Sequence, residues 1–203
     1  YSIRDGNTKG TASPVLPGAG RATLVEQVVL NQQTVDFDGY SEGIRVTTQN
    51  PITDADDGWF LDLPASGERQ ISSPILRGGR IIFTTIVPSG DSCSAGGDSW
   101  LMELNALSGG RLAAAPIDLN RDRSFDINDF VNLDPNDPDS PLVAVSGLKS
   151  RVGITKTPGI VREDMFEYLF LGGSNCDALG SCVDTPLGNA GDQRGRQSWR
   201  EIQ

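Results

Sequence analysis

The chain of 203 residues sets 27 acidic against 17 basic side chains, a net charge of −10, and contains no histidine. That charge repels nucleic acid and anionic lipid, and the missing imidazole removes His-based acid–base chemistry, His-assisted nucleophiles and most catalytic zinc sites. No apolar run approaches the ~18 residues of a membrane span, while 24 Gly and 12 Pro suit a turn-rich globular fold.

The chain opens on Tyr1-Ser-Ile-Arg, which reads as the middle of a strand, so a fragment of something longer is expected, organised as one domain over 1–203. After a long loop at 5–22, strand signals follow in order: LVEQVVL (24–30), IRVTTQ (44–49), WFLDL (59–63), RIIFTTIV (80–87), SWLMEL (99–104) and YLFLGG (168–173). Each is short, rich in β-branched or aromatic residues, and bounded by Gly, Pro, Asp or Asn. DADDG (54–58) reads as the turn before WFLDL. Helical periodicity is scarce, with one short turn of helix expected at Asn128–Asn132. The fold class is therefore all-β. Trp59, Trp100 and Trp199 are expected to pack between sheets.

Two segments repeat one shape. Ser73-Pro-Ile-Leu-Arg runs through Gly79-Arg80 into RIIFTT, and Thr157-Pro-Gly-Ile-Val-Arg runs through a short turn into EYLFLGG. With SWLMELNALSGGRL after the first copy, the pattern resembles a blade of the quinoprotein-like β-propellers. A small antiparallel sheet cannot bury both faces alone, and radial stacking of such sheets does so. At ~40–50 residues per blade, about four blades are the most this length holds, and the long loops at 5–22 and 118–141 reduce that to about three, so either a partial set of blades or an open sheet assembly is expected.

The densest chemistry lies in DLNRDRSFDIND, Asp118 to Asp129. With Asp118 as position 1, Asn120, Asp122, Ser124, Asp126 and Asp129 fall at positions 3, 5, 7, 9 and 12, the ligand positions of an EF-hand-type Ca2+ loop. A hard cation needs six to eight oxygens at ~2.3–2.6 Å, and alternate residues of a tightly wound loop supply them, position 7 through its carbonyl. Oxygen-only ligands disfavour zinc and copper, and so crowded a cage disfavours magnesium. The loop departs from the pattern at Arg123, where Gly is usual, and at Asp129, where a longer Glu usually binds through both oxygens, so Asp129 is expected as an outer or monodentate ligand. No amphipathic helix precedes it, so an EF-hand-like loop inserted between β elements is expected. The Pro-rich acidic stretch 134–141 reads as a solvated loop, and CDALGSC as a small disulfide, Cys176 to Cys182, with Cys93 left over; that pairing implies an oxidising compartment. The end, QRGRQSWREI (193–202), reads as a closing strand with flanking charges.

GWFLDLP (58–64), GERQISSPILRGGRIIFTT (67–85), CSAGGDSWLMELNALSGGRL (93–112), the DxNxDxxxD loop (118–126) and QSWREI (197–202) resemble the C-terminal domain of the PilY-type, type IV pilus-associated adhesins. The resemblance implies a modified β-propeller on a bacterial protein exported through periplasm and outer membrane and displayed at the pilus tip. It implies roles in pilus biogenesis, twitching motility and adhesion, with minor pilins and a host or abiotic surface receptor as partners. It also implies that calcium on Asp118, Asn120, Asp122, the Ser124 carbonyl and Asp126 permits pilus extension, and that its loss favours retraction. The family domain is several blades longer, no RGD tripeptide occurs here, and CDALGSC has no place in the family pattern. A fragment of a quinone-dependent dehydrogenase is the alternative, but it needs a full ring and a catalytic Asp beside the cofactor. A dockerin-like calcium module would need a duplicated loop. A non-enzymatic, virulence-associated pilus protein is the expectation.

Overall fold

The computed structural model describes residues 2–3, 21–90, 96–176 and 180–191. Cys93, Trp199, the arginine-rich end and most of the loop at 5–22 lie outside the described residues. Within them the chain forms β1 (Ser2–Ile3), β2 (Leu24–Gln27), β3 (Val29–Phe37), β4 (Tyr40–Thr47), β5 (Gly58–Leu61), β6 (Ile75–Arg77), β7 (Arg80–Pro88) and β8 (Gly97–Asn105). It continues with β9 (Phe130–Asn132), β10 (Leu142–Ala144), β11 (Gly147–Lys149), β12 (Gly159–Glu163), β13 (Phe166–Gly172), β14 (Val183–Asp184) and β15 (Leu187–Asn189). The only helical element described is a 3-10 turn at Ile127–Asp129, so the protein is all-β.

The central sheet has six antiparallel strands in the order β3-β4-β11-β8-β7-β6. Its middle strands are buried on both faces. On β8, Trp100, Met102 and Leu104 join Trp59 of β5 and Phe83 of β7 in one cluster. Leu101, between them, turns to the opposite face and joins Ile82, Leu169 and Leu171 in another. Two-sided burial explains why SWLMEL reads as a nearly continuous apolar run rather than an alternation. A second sheet, β12-β13-β14 with β15 also on β13, thus lies against one face, and the small β1-β5-β2 sheet against the other. Among the described residues no sheet closes on itself; β3 and β6 remain edges.

The repeated shape is two hairpins in contact. β6–β7 turns through Gly78 and Gly79, at φ 56° and 75°, and β12–β13 turns through Asp164 at φ 56°. Ile75 and Ile160 pack on the shared cluster, and Thr157 Oγ1 donates to the Ser73 carbonyl at 2.8 Å. The two segments that match in sequence therefore touch at their first residues.

Three expectations need correction. LVEQVVL is two strands rather than one. The chain changes sheet at Val28, where Val28 N–H donates to Thr48 Oγ1 and Val28 C=O accepts from Thr48 N–H, both at 2.9 Å. The helix expected at Asn128–Asn132 is one 3-10 turn ending at Asp129, because Phe130–Asn132 pairs with Leu142–Ala144 as strand. The same pairing places strand inside the supposed loop 118–141. The polar run 31–37 is also strand. Its side chains alternate between half-buried and exposed along an edge, and Asp38-Gly39 turns it back into β4. DADDG does form the turn before β5, and Trp59 and Trp100 are buried as expected.

Candidate metal centre

The acidic loop is held at both ends by apolar anchors. Ile117 and Leu119 at its entry and Val131 at its exit share one cluster with Ile44 and Val46 of β4, Val143, Val145 and Leu148. Tyr40 O–H donates to the Leu119 carbonyl at 2.8 Å, tying the entry to the β3–β4 hairpin. The loop's middle is exposed, whereas Asp118 and Asp129 at its ends are buried.

Within the loop, each carboxylate or amide reaches a backbone N–H further along. Asn120 Oδ1 accepts from Asp122 N–H at 3.1 Å, Asp122 Oδ1 from Ser124 N–H at 2.7 Å, and Asp126 Oδ1 from Asn128 N–H at 2.8 Å. Asp118 Oδ2 accepts from Arg123 N–H at 2.9 Å. These turns coil the chain tightly, and two residues take left-handed backbone, Arg121 at φ 60° and Arg123 at φ 63°. The conformation that Gly would supply at the sixth position is thus present, at a strain of roughly 1–2 kcal/mol for a residue with a Cβ. Arg123 recovers contacts: its guanidinium lies 5.0 Å from the Phe166 ring centre, and Nη2 donates to Tyr168 Oη at 3.2 Å.

Asp129 closes the loop. Oδ1 accepts from Leu119 N–H at 2.7 Å and Oδ2 from Asp126 N–H at 3.1 Å, and with Asp126 it forms a reciprocal capping box on the 3-10 turn. Asp118 differs. Its Oδ1 is buried with no hydrogen-bond partner among the described residues. Burial pushes the Asp118 carboxyl above its ordinary range, only partly offset by backbone N–H donors, and does the same to Asp129. A buried carboxylate oxygen without a donor is costly unless a cation takes it. The orphaned oxygen and an all-oxygen donor set fit a hard divalent ion. As the loop stands, no three Asp, Glu, Cys or His side chains among the described residues gather closely enough to hold one.

Sequence reasoning missed the ring of charge around this loop. The Arg121 guanidinium bonds to Glu42 of β4 and stacks 3.8 Å from the centre of the Tyr40 ring. Arg151 Nη2 donates to Asp184 at 2.5 Å. These partners are 79 and 33 residues apart in sequence, and no local pattern signals either pairing. The 134–141 loop is solvated, its Asp134 and Asp137 serving backbone turns. Cys176 and Cys182 are joined in a disulfide. Among the described residues no helix is long and apolar enough to cross a membrane.

These features define an all-β protein of stacked open sheets with an acidic, oxygen-lined loop between strands. Its fold is similar to the crystal structure of the C-terminal domain of Pseudomonas aeruginosa PilY1, with a TM-score of 0.67 and 23% identity, over 93% of this chain and 36% of that one. No family model matches the chain. It is homologous to the type IV pilus biogenesis factor PilY1 of Pseudomonas aeruginosa, 28% identical over 214 residues, covering all of this chain and 17% of that protein. A PilY1 homolog of Xylella fastidiosa is 36% identical over 126 residues, covering 54% of this chain and 8% of its own length. The chain thus spans a small part of these relatives.

Proposed function

We propose that the chain is the C-terminal propeller portion of a type IV pilus biogenesis factor, a non-enzymatic component acting outside the cell at the pilus tip. The two contacting hairpins would be parts of adjacent blades, and the acidic loop an EF-hand-like insertion between them. Homology across the entire chain to a protein named for pilus biogenesis carries the first part of this reading. The orphaned Asp118 oxygen inside a tightly coiled acidic loop supports the second. Asp118, Asn120, Asp122, Asp126 and the Ser124 carbonyl would hold calcium, with Asp129 as outer ligand and closing clamp. Bound calcium would supply the positive charge that offsets their mutual repulsion. The chain's own residues do the rest: Asp129 and Tyr40 pin the loop's ends, and Arg121 links its middle to β4. A surface beside the loop would then be offered to minor pilins or a surface receptor, setting extension against retraction and supporting twitching and adhesion.

Melting temperature against calcium, with magnesium as control, tests the ion. Binding to the folded form alone raises the melting temperature as calcium increases. Asp126→Asn keeps the cap on Asn128 and removes a charge, so we expect calcium affinity to fall at least tenfold (about 1.4 kcal/mol) with the metal-free melt little changed. Asp126→Ala loses cap and ligand together; Asp126→Lys places an ammonium at the site and mimics occupancy. Unchanged melting in millimolar calcium, or full affinity in Asp126→Ala, would overturn the ligand set. Surface pili and twitching in bacteria carrying Asp126→Ala in the whole protein test the pilus role separately; both are expected to fall.

A further inference from the structure

Beside the acidic loop is a cleft of about 280 Å³, lined by Arg121 and Arg123 of the loop, Arg151, Tyr168, and the apolar Leu148 and Leu187. Three guanidiniums at one opening are unexpected in a chain of net charge −10. Their arrangement is built. Glu42 and Asp184 have side chains 5% and 2% exposed, while their paired Arg121 and Arg151 side chains are 43% and 41% exposed. Glu42 and Asp118 line the cleft with the guanidiniums, and the buried Asp184 holds Arg151. Arg121 and Arg123 are further fixed by stacking on Tyr40 and Phe166, so little rotamer entropy remains to be lost on binding. Arg123 makes no direct ion pair among the described residues; its guanidinium meets the Phe166 ring face and the Tyr168 phenol, which donates in turn to Glu163 at 3.0 Å.

We propose that this cleft binds a carboxylate borne on an apolar-flanked segment of a partner protein. A planar guanidinium matches a carboxylate through two parallel hydrogen bonds. The three arginines are set against Glu42, Asp118, Asp184 and, through Tyr168, Glu163, so the site tolerates one added negative charge far better than the two of a phosphate. Leu148 and Leu187 supply walls for apolar neighbours of the acid. The overall negative charge repels acidic partners at long range. Screening at about 0.1 M salt confines that repulsion to ~10 Å, so recognition is a short-range event. Arg121, Arg123 and Asp118 also belong to the loop that would hold calcium, so the cleft is tested first without the ion.

Fluorescence anisotropy tests it in calcium-free buffer, with a fluorescein-labelled, C-terminally amidated peptide Ala-Leu-Leu-Glu-Leu-Leu-Ala, its Gln counterpart and its phosphoserine counterpart. The Glu peptide is expected to bind at least tenfold tighter than either. Arg123→Gln is expected to weaken it at least tenfold with the fold retained by circular dichroism, since the backbone at φ 63° is no more strained for Gln than for Arg and only the Phe166 and Tyr168 contacts are lost. Arg123→Lys keeps the charge without the fork and is expected to fall between. No binding at millimolar peptide, equal binding of Glu and Gln peptides, preference for phosphoserine, or full affinity in Arg123→Gln would each overturn the proposal.

Discussion

Gly109 shows how a single atom is excluded. It takes φ 72°, and a Cβ there would lie 2.1 Å from Trp59 Cδ2, inside the ring. Trp59 itself is buried and donates from Nε1 to the Ala106 carbonyl at 3.2 Å, so it has little room to retreat. Gly109→Ala combines left-handed strain with overpacking, and we expect a loss of roughly 3 kcal/mol. Urea unfolding with tryptophan fluorescence measures it; a loss below about 0.5 kcal/mol would mean the turn adapts. The run of small residues in LSGG was visible in the sequence. The reason for the glycine was not, because Trp59 arrives from a strand fifty residues earlier.

β8 is buried on both faces. Leu101 and Met102 are neighbours in sequence but face opposite sheets, and both are buried. Leu101→Ala and Met102→Ala are each expected to cost about 2–5 kcal/mol, because either leaves a cavity in a close-packed layer. In a one-sided sheet one of the two would be nearly neutral, so equilibrium unfolding of the pair decides whether β8 is the middle of three layers. The strand itself was legible from its apolar run. The polar β3 was not, because its pairing with β4 comes from the Asp38-Gly39 turn and an edge position rather than from apolar content. The 3-10 turn at Ile127–Asp129 likewise stops short because Phe130 is drawn into a strand by Ala144, which lies far along the chain.

Across the whole molecule, buried charge stitches the layers together. Arg80 of β7 bonds Glu103 on β8 and Glu167 on β13, both at 2.8 Å, and Arg77 joins Glu167 from the other side. The side chains of Arg45 and Glu68, both fully buried, pair through two bonds, Nη2 to Oε2 at 2.8 Å. Burial pushes Glu68 up, but hydrogen bonds from Arg45 and Thr85 outweigh it and hold the carboxyl below its ordinary value. Glu103 goes the other way. Burial, against the pull of Arg80 and with Glu167 adding repulsion, pushes it up to about 7 from 4.5. The folded chain therefore keeps a proton that the unfolded chain releases. That contribution is full below pH 4.5, falls as pH rises, and is lost above about 7. The decline is on the order of 3 kcal/mol. Denaturant melts at pH 5 and pH 8 should show Glu103→Gln removing that slope, while the carboxylates elsewhere keep theirs. An identical slope in the variant would mean that Glu103 stays ionised in the fold.

By itself the sequence determined the all-β class, most of the apolar strands, the paired hairpins and the acidic loop with its spacing, because β-propensity, turn residues and ligand spacing are local properties that short segments carry whole. Tertiary structure alone decided which strands lie between two layers, that Asp129 clamps the loop while Asp118 keeps a bare buried oxygen, and that arginines from the loop and from residue 151 frame one cleft together with buried carboxylates. Those outcomes depend on burial and on partners tens of residues away, and a charge's effect is set by the neighbours and dielectric that folding supplies.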